Sequence, residues 1–143
     1  MIKFKDNSQK FKTELGRVLD KGLTEAAIHA EGNCITQAPK DTGHLRGSIS
    51  HITRIAKSTR ETIKESIDEK TKDLATGDFI KGVAFSGEAF VGTNLEYAPH
   101  VEYGTVIQRA QPFMRGGMDD SKAGIQSILA KNLTNLKIEN KED

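Results

Sequence analysis

The chain has 143 residues, enough for one domain with a modest hydrophobic core. Its formal net charge of +1 excludes a polybasic nucleic-acid binder, and its single cysteine, Cys34, excludes an intrachain disulfide and a cysteine-based zinc site. No apolar run approaches the length of a membrane span, and the N-terminal residues lack the apolar core of a signal peptide. We therefore expect a soluble protein, made in a reducing cytoplasm, with no membrane partner.

Residues from about Ser8 to Ala38 are predicted to form one long helix. Asn7 or Ser8 can cap its start, and Pro39 ends it because proline lacks a backbone N–H and disfavours helical geometry in the preceding residue. The second half of its apolar stripe consists of small residues, which indicates tight packing against another element. The apolar positions at helical spacing are Phe11, Leu15, Val18, Leu19, Leu23, Ala26, Ala27, Ala30 and Cys34.

A turn is predicted at residues 40–43, where Asp41 can hydrogen-bond the turn backbone and Gly43 tolerates a positive φ. Residues from Leu45 to about Ala56 are predicted to be extended, because β-branched side chains favour strands. Half of the residues from Lys57 to Asp78 are charged. We interpret this segment as a solvated loop or frayed helix, and the alternative is an arm that orders against a neighbouring subunit.

The second half of the chain begins with a predicted hairpin. Phe79–Phe85 and Glu88–Thr93 alternate as strands do, and Ser86-Gly87 suits a two-residue turn between them. Asn94 can then cap a short helix over Leu95–Tyr103.

Glycine and proline mark the boundaries of the last elements. Gly104 is predicted to end the short helix in the left-handed conformation, and Thr105–Gln111 is a connector with a possible short strand at residues 106–107. Pro112 can occupy the first position of the last helix, although three glycines in its first half allow a start nearer Met118. The predicted apolar face of this helix comprises Phe113, Met114, Met118, Ile125, Ile128, Leu129 and Leu133.

These elements predict an α+β fold. A long N-terminal helix and a C-terminal helix would pack on a small antiparallel β-sheet, with an extended charged loop at residues 57–78. We expect one domain over residues 1–136 and a frayed polar tail over residues 137–143.

Asp41-Thr42-Gly43 matches the signature tripeptide of aspartic proteases, in which two carboxylates share one proton. One copy is present, so a protease would need a homodimer. The protease aspartate follows an apolar strand, whereas Asp41 follows Ala38-Pro39-Lys40. We therefore favour a capped turn and keep the homodimeric protease as the alternative function.

Other chemistry finds little support in the sequence. His29, His44, His51 and His100 show no metal-ligand spacing, and each is expected to be a partly exposed polar side chain. Cys34 is expected to be a buried, unreactive thiol. We find no phosphate-binding or dinucleotide-binding loop, and we predict no metal, no cofactor and no enzymatic activity.

Charge is unevenly distributed along the chain. Residues 40–60 carry five basic side chains against one acidic, a local net charge of +4, and residues 61–78 carry six acidic against three basic, a net −3. These segments could complement each other between subunits, or they could be independently solvated. A basic surface facing DNA is a further possibility.

Three motifs occur in order along the chain. They are Ala38-Pro39-x-Asp41-Thr42-Gly43-x-Leu45-Arg46-x-Ser48-Ile49, then Tyr97-Ala98-x-x-Val101-Glu102-Tyr103-Gly104-Thr105, then Gln111-Pro112-Phe113-Met114. In this order and spacing, the chain resembles the family of small tail-component proteins of long-tailed bacteriophages. Members of that family are described as head–tail joining or tail-completion proteins. The resemblance extends from about Leu15 to Leu133.

The resemblance implies a structural role in the virion. Copies of the chain would form a ring, expected to be six-fold, at the head–tail junction, after assembly in the cytoplasm of the bacterial host. The implied partners are the chain itself and other tail and connector proteins. Passage of DNA through the ring is left open. The resemblance implies no catalytic residues, and it leaves tail completion, tail termination and a head-side connector open.

The motif residues also have expected physical roles. Leu45 and Ile49 would enter the sheet, Arg46 would face outward, and Phe113 would fix the last helix to the core. Glu102 is predicted to bond Arg46 or the turn around Thr42, which would connect two motifs. The structural and interaction residues are Pro39, Asp41, Thr42, Gly43, Leu45, Arg46, Tyr97, Ala98, Glu102, Tyr103, Gly104, Thr105, Pro112 and Phe113.

Overall fold

The computed structural model describes residues 6–41, 43–55 and 87–136. The elements in chain order are α1 (Ser8–Gln37), α2 (His44–Ser48), β1 (Ser50–Thr53), β2 (Ala89–Gly92), α3 (Ala98–Tyr103) and α4 (Phe113–Thr134). Two long helices and a two-stranded antiparallel sheet confirm the predicted α+β class. Several predictions concern residues outside the described ranges: the charged arm at 57–78, the strand at 79–85, Thr42 and the tail at 137–143.

The long helices α1 and α4 pack against each other in antiparallel orientation. Near the start of α4, Gly117 lies against Cys34 of α1, and near its end Leu129 and Asn132 lie against Gly22. A methyl group built on Gly117 would stand 2.5 Å from the Cys34 Cα atom, so the two backbones approach as closely as glycine allows. The small residues in the second half of the α1 stripe therefore serve the tight packing that the sequence indicated.

The buried face of α4 differs from the prediction. Phe113 is buried as expected, but its buried companions on the helix are Gly117 and Ser121, while Met118 and Leu133 are exposed. The predicted aliphatic stripe was wrong in this respect because α4 meets α1 through small side chains. The helix begins at Phe113, one residue after Pro112 and well before Met118.

All four residues of strand β1 are buried. It pairs with the more exposed β2 in a register that sets Ser50 opposite Gly92 and Thr53 opposite Ala89. The prediction that the chain is extended from Leu45 onward was wrong for residues 45–48, which lie in α2 (His44–Ser48). Leu45 and Ile49 therefore do not enter the sheet as expected, because the helical turn delays the start of β1 to Ser50. Two local bonds stabilise this helical turn: the Gly47 N–H donates to the Gly43 carbonyl (2.9 Å), and the Ser48 hydroxyl donates to the Leu45 carbonyl (2.8 Å).

Helix α3 begins later than predicted, at Ala98, and Pro99 lies in its first turn. Asn94 does not cap it, and the buried Oδ1 atom of Asn94 has no hydrogen-bond partner among the described residues. Gly104 follows the helix with φ +79°, which confirms the positive φ, but its ψ of 174° is extended rather than left-handed helical. A side chain at Gly104 would collide with the Ala110 backbone.

The closest helix contact gives a first testable prediction. Gly117→Ala places a methyl group 2.5 Å from the Cys34 Cα atom, which is too close for two carbon atoms. The helices must separate, so we expect the free energy of unfolding to fall by about 1–3 kcal/mol. Gly32→Ala is the matched control, since a methyl group there meets nothing within 4 Å. It should raise the free energy of unfolding by about 0.4–1 kcal/mol. Urea denaturation measures both, and equal effects of the two substitutions would contradict the packing.

Candidate interaction site

The three sequence motifs meet in one hydrophobic core. The first contributes Ala38, Leu45 and Ile49, the second contributes Ala98 and Val101, and the third contributes Phe113. Cys34 and Leu95 complete this buried cluster. Residues that are far apart in the chain therefore build one structural unit, and the expected role of Phe113 in fixing the last helix to the core is confirmed.

Arg46 closes the C-terminal end of α1. Its Nε atom donates to the Ala38 carbonyl (2.7 Å), and its Nη2 atom donates to the Thr36 carbonyl (3.1 Å). The last carbonyls of a helix have no partner within the helix and carry partial negative charge, which a guanidinium satisfies well. The prediction that Arg46 faces outward was wrong, because the turn that follows Pro39 brings its side chain back onto the helix end.

Glu102 caps the N-terminal end of α4. Its carboxylate accepts hydrogen bonds from the backbone N–H groups of Met114 (2.9 Å) and Arg115 (3.1 Å), and from the Arg115 Nε atom (2.9 Å). Glu102 was predicted to bond Arg46 or the turn around Thr42. The bond to Arg46 was wrong, since the two side chains cap the ends of different helices, and Thr42 lies outside the described residues. Glu102 still connects two motifs, the second and the third.

The surroundings of Glu102 lower its pKa. Burial alone raises the pKa of this carboxyl, but the backbone N–H bonds from Met114 and Arg115 and the Arg115 guanidinium outweigh burial and leave the pKa below its ordinary value. Arg115 also lies over the ring of Tyr103, 5.0 Å from its centroid. The exposed Tyr103 is thereby held beside the start of α4.

The Asp41 turn borders an apolar groove of about 530 Å³. Asp41 and Gly43 are exposed at its rim, and Gly43 has the expected positive φ of +79°. Burial raises the pKa of the Tyr97 hydroxyl, and the nearby Asp41 charge raises it further. The groove is lined by Pro39, Asp41, Gly43, His44, Leu45, Leu95, Tyr97, Val101, Gln108 and Gln111.

The connector after α3 presents an apolar tip, which we define as Val106 and Ile107. Their relative exposures are 105% and 96%, and they lie in a bend rather than the possible short strand. The loop is ordered by its own hydrogen bonds. The Thr105 N–H donates to the Gln108 carbonyl (2.8 Å), and the Gln108 N–H donates to the Thr105 hydroxyl (3.0 Å). The sequence identified the connector but carried no signal that its aliphatic residues are exposed.

Two contacts made by buried carboxylates were missed by the sequence interpretation. Asp20 of α1 pairs with Arg54, which follows β1, and Glu31 pairs with His51 of β1. His51 was expected to be partly exposed, but it is buried. Polar residues at helical spacing within the α1 stripe could have indicated such contacts, because a charge on a buried face requires a partner.

Cys34 behaves as expected for a buried thiol. It is fully buried, and burial, with the Glu102 and Glu31 charges adding to the effect, raises its pKa to about 11. The thiol therefore stays protonated and unreactive near neutral pH.

Within the described ranges, no three histidine, cysteine or acidic side chains are grouped as metal ligands would be. Neither α1 nor α4, the long helices that the structure describes, is apolar enough to cross a bilayer. Compared with known proteins, the chain matches no family model, and no curated protein or solved structure shows significant similarity to it.

The cap on α4 gives the second prediction. Glu102→Gln keeps the shape of the side chain but loses its charge and aligns a donor with a backbone N–H, so the free energy of unfolding should fall by about 1–3 kcal/mol at pH 7. Because the pKa of Glu102 is lowered on folding, its stabilisation is complete above about pH 4.5 and is lost as the pH falls through the folded-state pKa.

The difference in unfolding free energy between wild type and Glu102→Gln should therefore shrink in acid. Urea denaturation at pH 7, 5 and 3 measures it. A difference that stays constant over this range would show that the Glu102 charge does not stabilise α4.

Proposed function

We propose that the chain is a structural protein of a long-tailed bacteriophage or prophage, which acts in tail completion and head–tail joining as a subunit of a ring. The observation that carries this proposal is the apolar tip at Val106 and Ile107. A folded chain that holds two aliphatic side chains almost fully in solvent is suited to association with another protein surface.

The placement of the motif residues supports the same proposal. The buried ones form a core, and the polar ones fix helix ends, as Arg46 and Glu102 do. Others lie at the surface, including Tyr97 at the groove and Tyr103 beside Arg115. This division suits a scaffold that displays surfaces to neighbouring subunits.

The experiment is deletion of the coding sequence from the phage or prophage that carries it, with complementation from a plasmid. We expect filled heads and assembled tails to accumulate unjoined in electron micrographs, and the titre of infectious particles to collapse. Wild-type complementation should restore both. Joined, infectious particles in the deletion strain would rule the proposal out.

The same micrographs separate the three possible junction roles. Tails of normal length beside filled heads indicate tail completion, whereas tails of irregular length indicate a tail terminator. Heads that have lost their DNA indicate a head-side connector. Each of these three outcomes supports a role for the chain at the head–tail junction.

One observation favours the alternative of a homodimeric aspartic protease: Asp41 lies at the rim of a groove large enough for a ligand. A protease would need the Asp41 carboxylates of two copies to share a proton. Incubation of the purified chain with a denatured protein at acid pH, beside the Asp41→Asn variant, tests this. Cleavage by wild type and not by the variant would support the protease.

A further inference from the structure

We propose that the apolar tip of one copy inserts into the apolar groove of a second copy of the chain, with Arg109 of the first facing Asp41 of the second. This inference rests on the proposed function for the premise that copies of the chain associate. It adds the surfaces through which they do so and the pair of charges that sets their register.

The tip is built to stay outside its own groove. Gln108 directly follows the tip and Gln111 lies three residues further on, and both line that groove. The Thr105–Gln108 bonds and the Gln111 N–H bond to the Val101 carbonyl (2.8 Å) hold the loop in this position. Val106 and Ile107 therefore stand beyond the wall of the groove and are available to another molecule.

The groove provides an apolar surface that could cover the exposed side chains of the tip. Its lining is mainly apolar, with Leu45, Leu95 and Val101 reaching it from the core. Its volume of about 530 Å³ lies in the range of cavities that hold small molecules, so two aliphatic side chains fit. Covering Val106 and Ile107 there would remove apolar surface from water on both copies.

Charge complementarity identifies a second copy as the occupant. Arg109 follows the tip, Asp41 lies at the rim of the groove, and both are exposed. Neither belongs to any of the ion pairs formed among the residues that the structure describes. One chain thus carries an apolar tip beside a cation and an apolar groove beside an anion. Opposite charges at the rim contribute little affinity, but they select the partner and the register.

The size of the contact sets the strength of the association. Two aliphatic side chains and one ion pair fall short of the 1,200–2,000 Å², roughly, that stable complexes bury. We therefore expect a weak, concentration-dependent association of the free chain, which analytical ultracentrifugation and native mass spectrometry can follow. A wild-type chain that is monomeric at every concentration up to its solubility limit would overturn the inference.

The role of the tip is tested by making the same substitution at Ile107 in the tip and at an exposed isoleucine elsewhere. Ile107→Gln should raise the dissociation constant of self-association about tenfold or more, as expected for a central apolar contact. Ile28→Gln is the matched control, since Ile28 is 54% exposed on α1, away from tip and groove, and it should leave the constant unchanged. Circular dichroism checks that both variants are folded. Equal effects of the two variants would overturn the inference.

The charge pair is tested by reversal in two separate variants. Arg109→Asp and Asp41→Arg should each weaken self-association, because each places like charges together. An equimolar mixture of the two should recover it, since each tip then meets a groove of opposite charge in the other variant. Loss of folding in either variant cannot produce this recovery, and a mixture that associates no better than its components contradicts the contact.

These results separate the inference from the proposed function. Failure of self-association in solution, with unjoined particles in the deletion strain, would leave the junction role standing and reject the tip-to-groove contact. If Ile107→Gln leaves self-association unchanged but fails to complement the deletion, the tip binds another virion protein and the inference is wrong.

Discussion

The fold depends on the close approach of α1 and α4 at Gly117 and Cys34. No side chain separates the two backbones there, so the position of α4 is determined by α1. The start of α4 then fixes the Glu102 cap, and with it α3 and the loop that follows. A displacement of the helices by the width of one methyl group would be transmitted through these contacts to the groove and the tip.

Charged side chains satisfy the backbone groups that helix packing leaves without hydrogen-bond partners. Arg46 occupies the C-terminal end of α1, and Glu102 occupies the N-terminal end of α4, where backbone carbonyl and N–H groups have no partner within the helix. Elsewhere on α1, the Asp20 carboxylate contacts the Arg54 guanidinium after β1, and the Glu31 carboxylate contacts the buried His51 ring of β1. The small sheet is thus connected to α1 by polar side-chain contacts as well as by apolar packing.

The surfaces that this framework displays are the basis of the functional proposal. The apolar groove and the apolar tip are both built from the motif residues or their immediate neighbours, and each is bordered by one exposed charge, Asp41 or Arg109. Their chemistry is complementary, and both belong to one chain. A scaffold of this kind contributes rigidity and recognition, which are the properties that a joining ring requires.

The sequence alone determined the elements whose causes are local. Helix α1, its end before Pro39, the positive φ of Gly43 and the burial of Phe113 follow from spacing, capping chemistry and the special geometry of proline and glycine. The tertiary structure decided which side chains from distant segments contact each other and which are exposed. Glu102 reaches the start of α4 rather than Arg46, and the tip at residues 106–107 is exposed, because such contacts depend on distances between segments that no local pattern encodes.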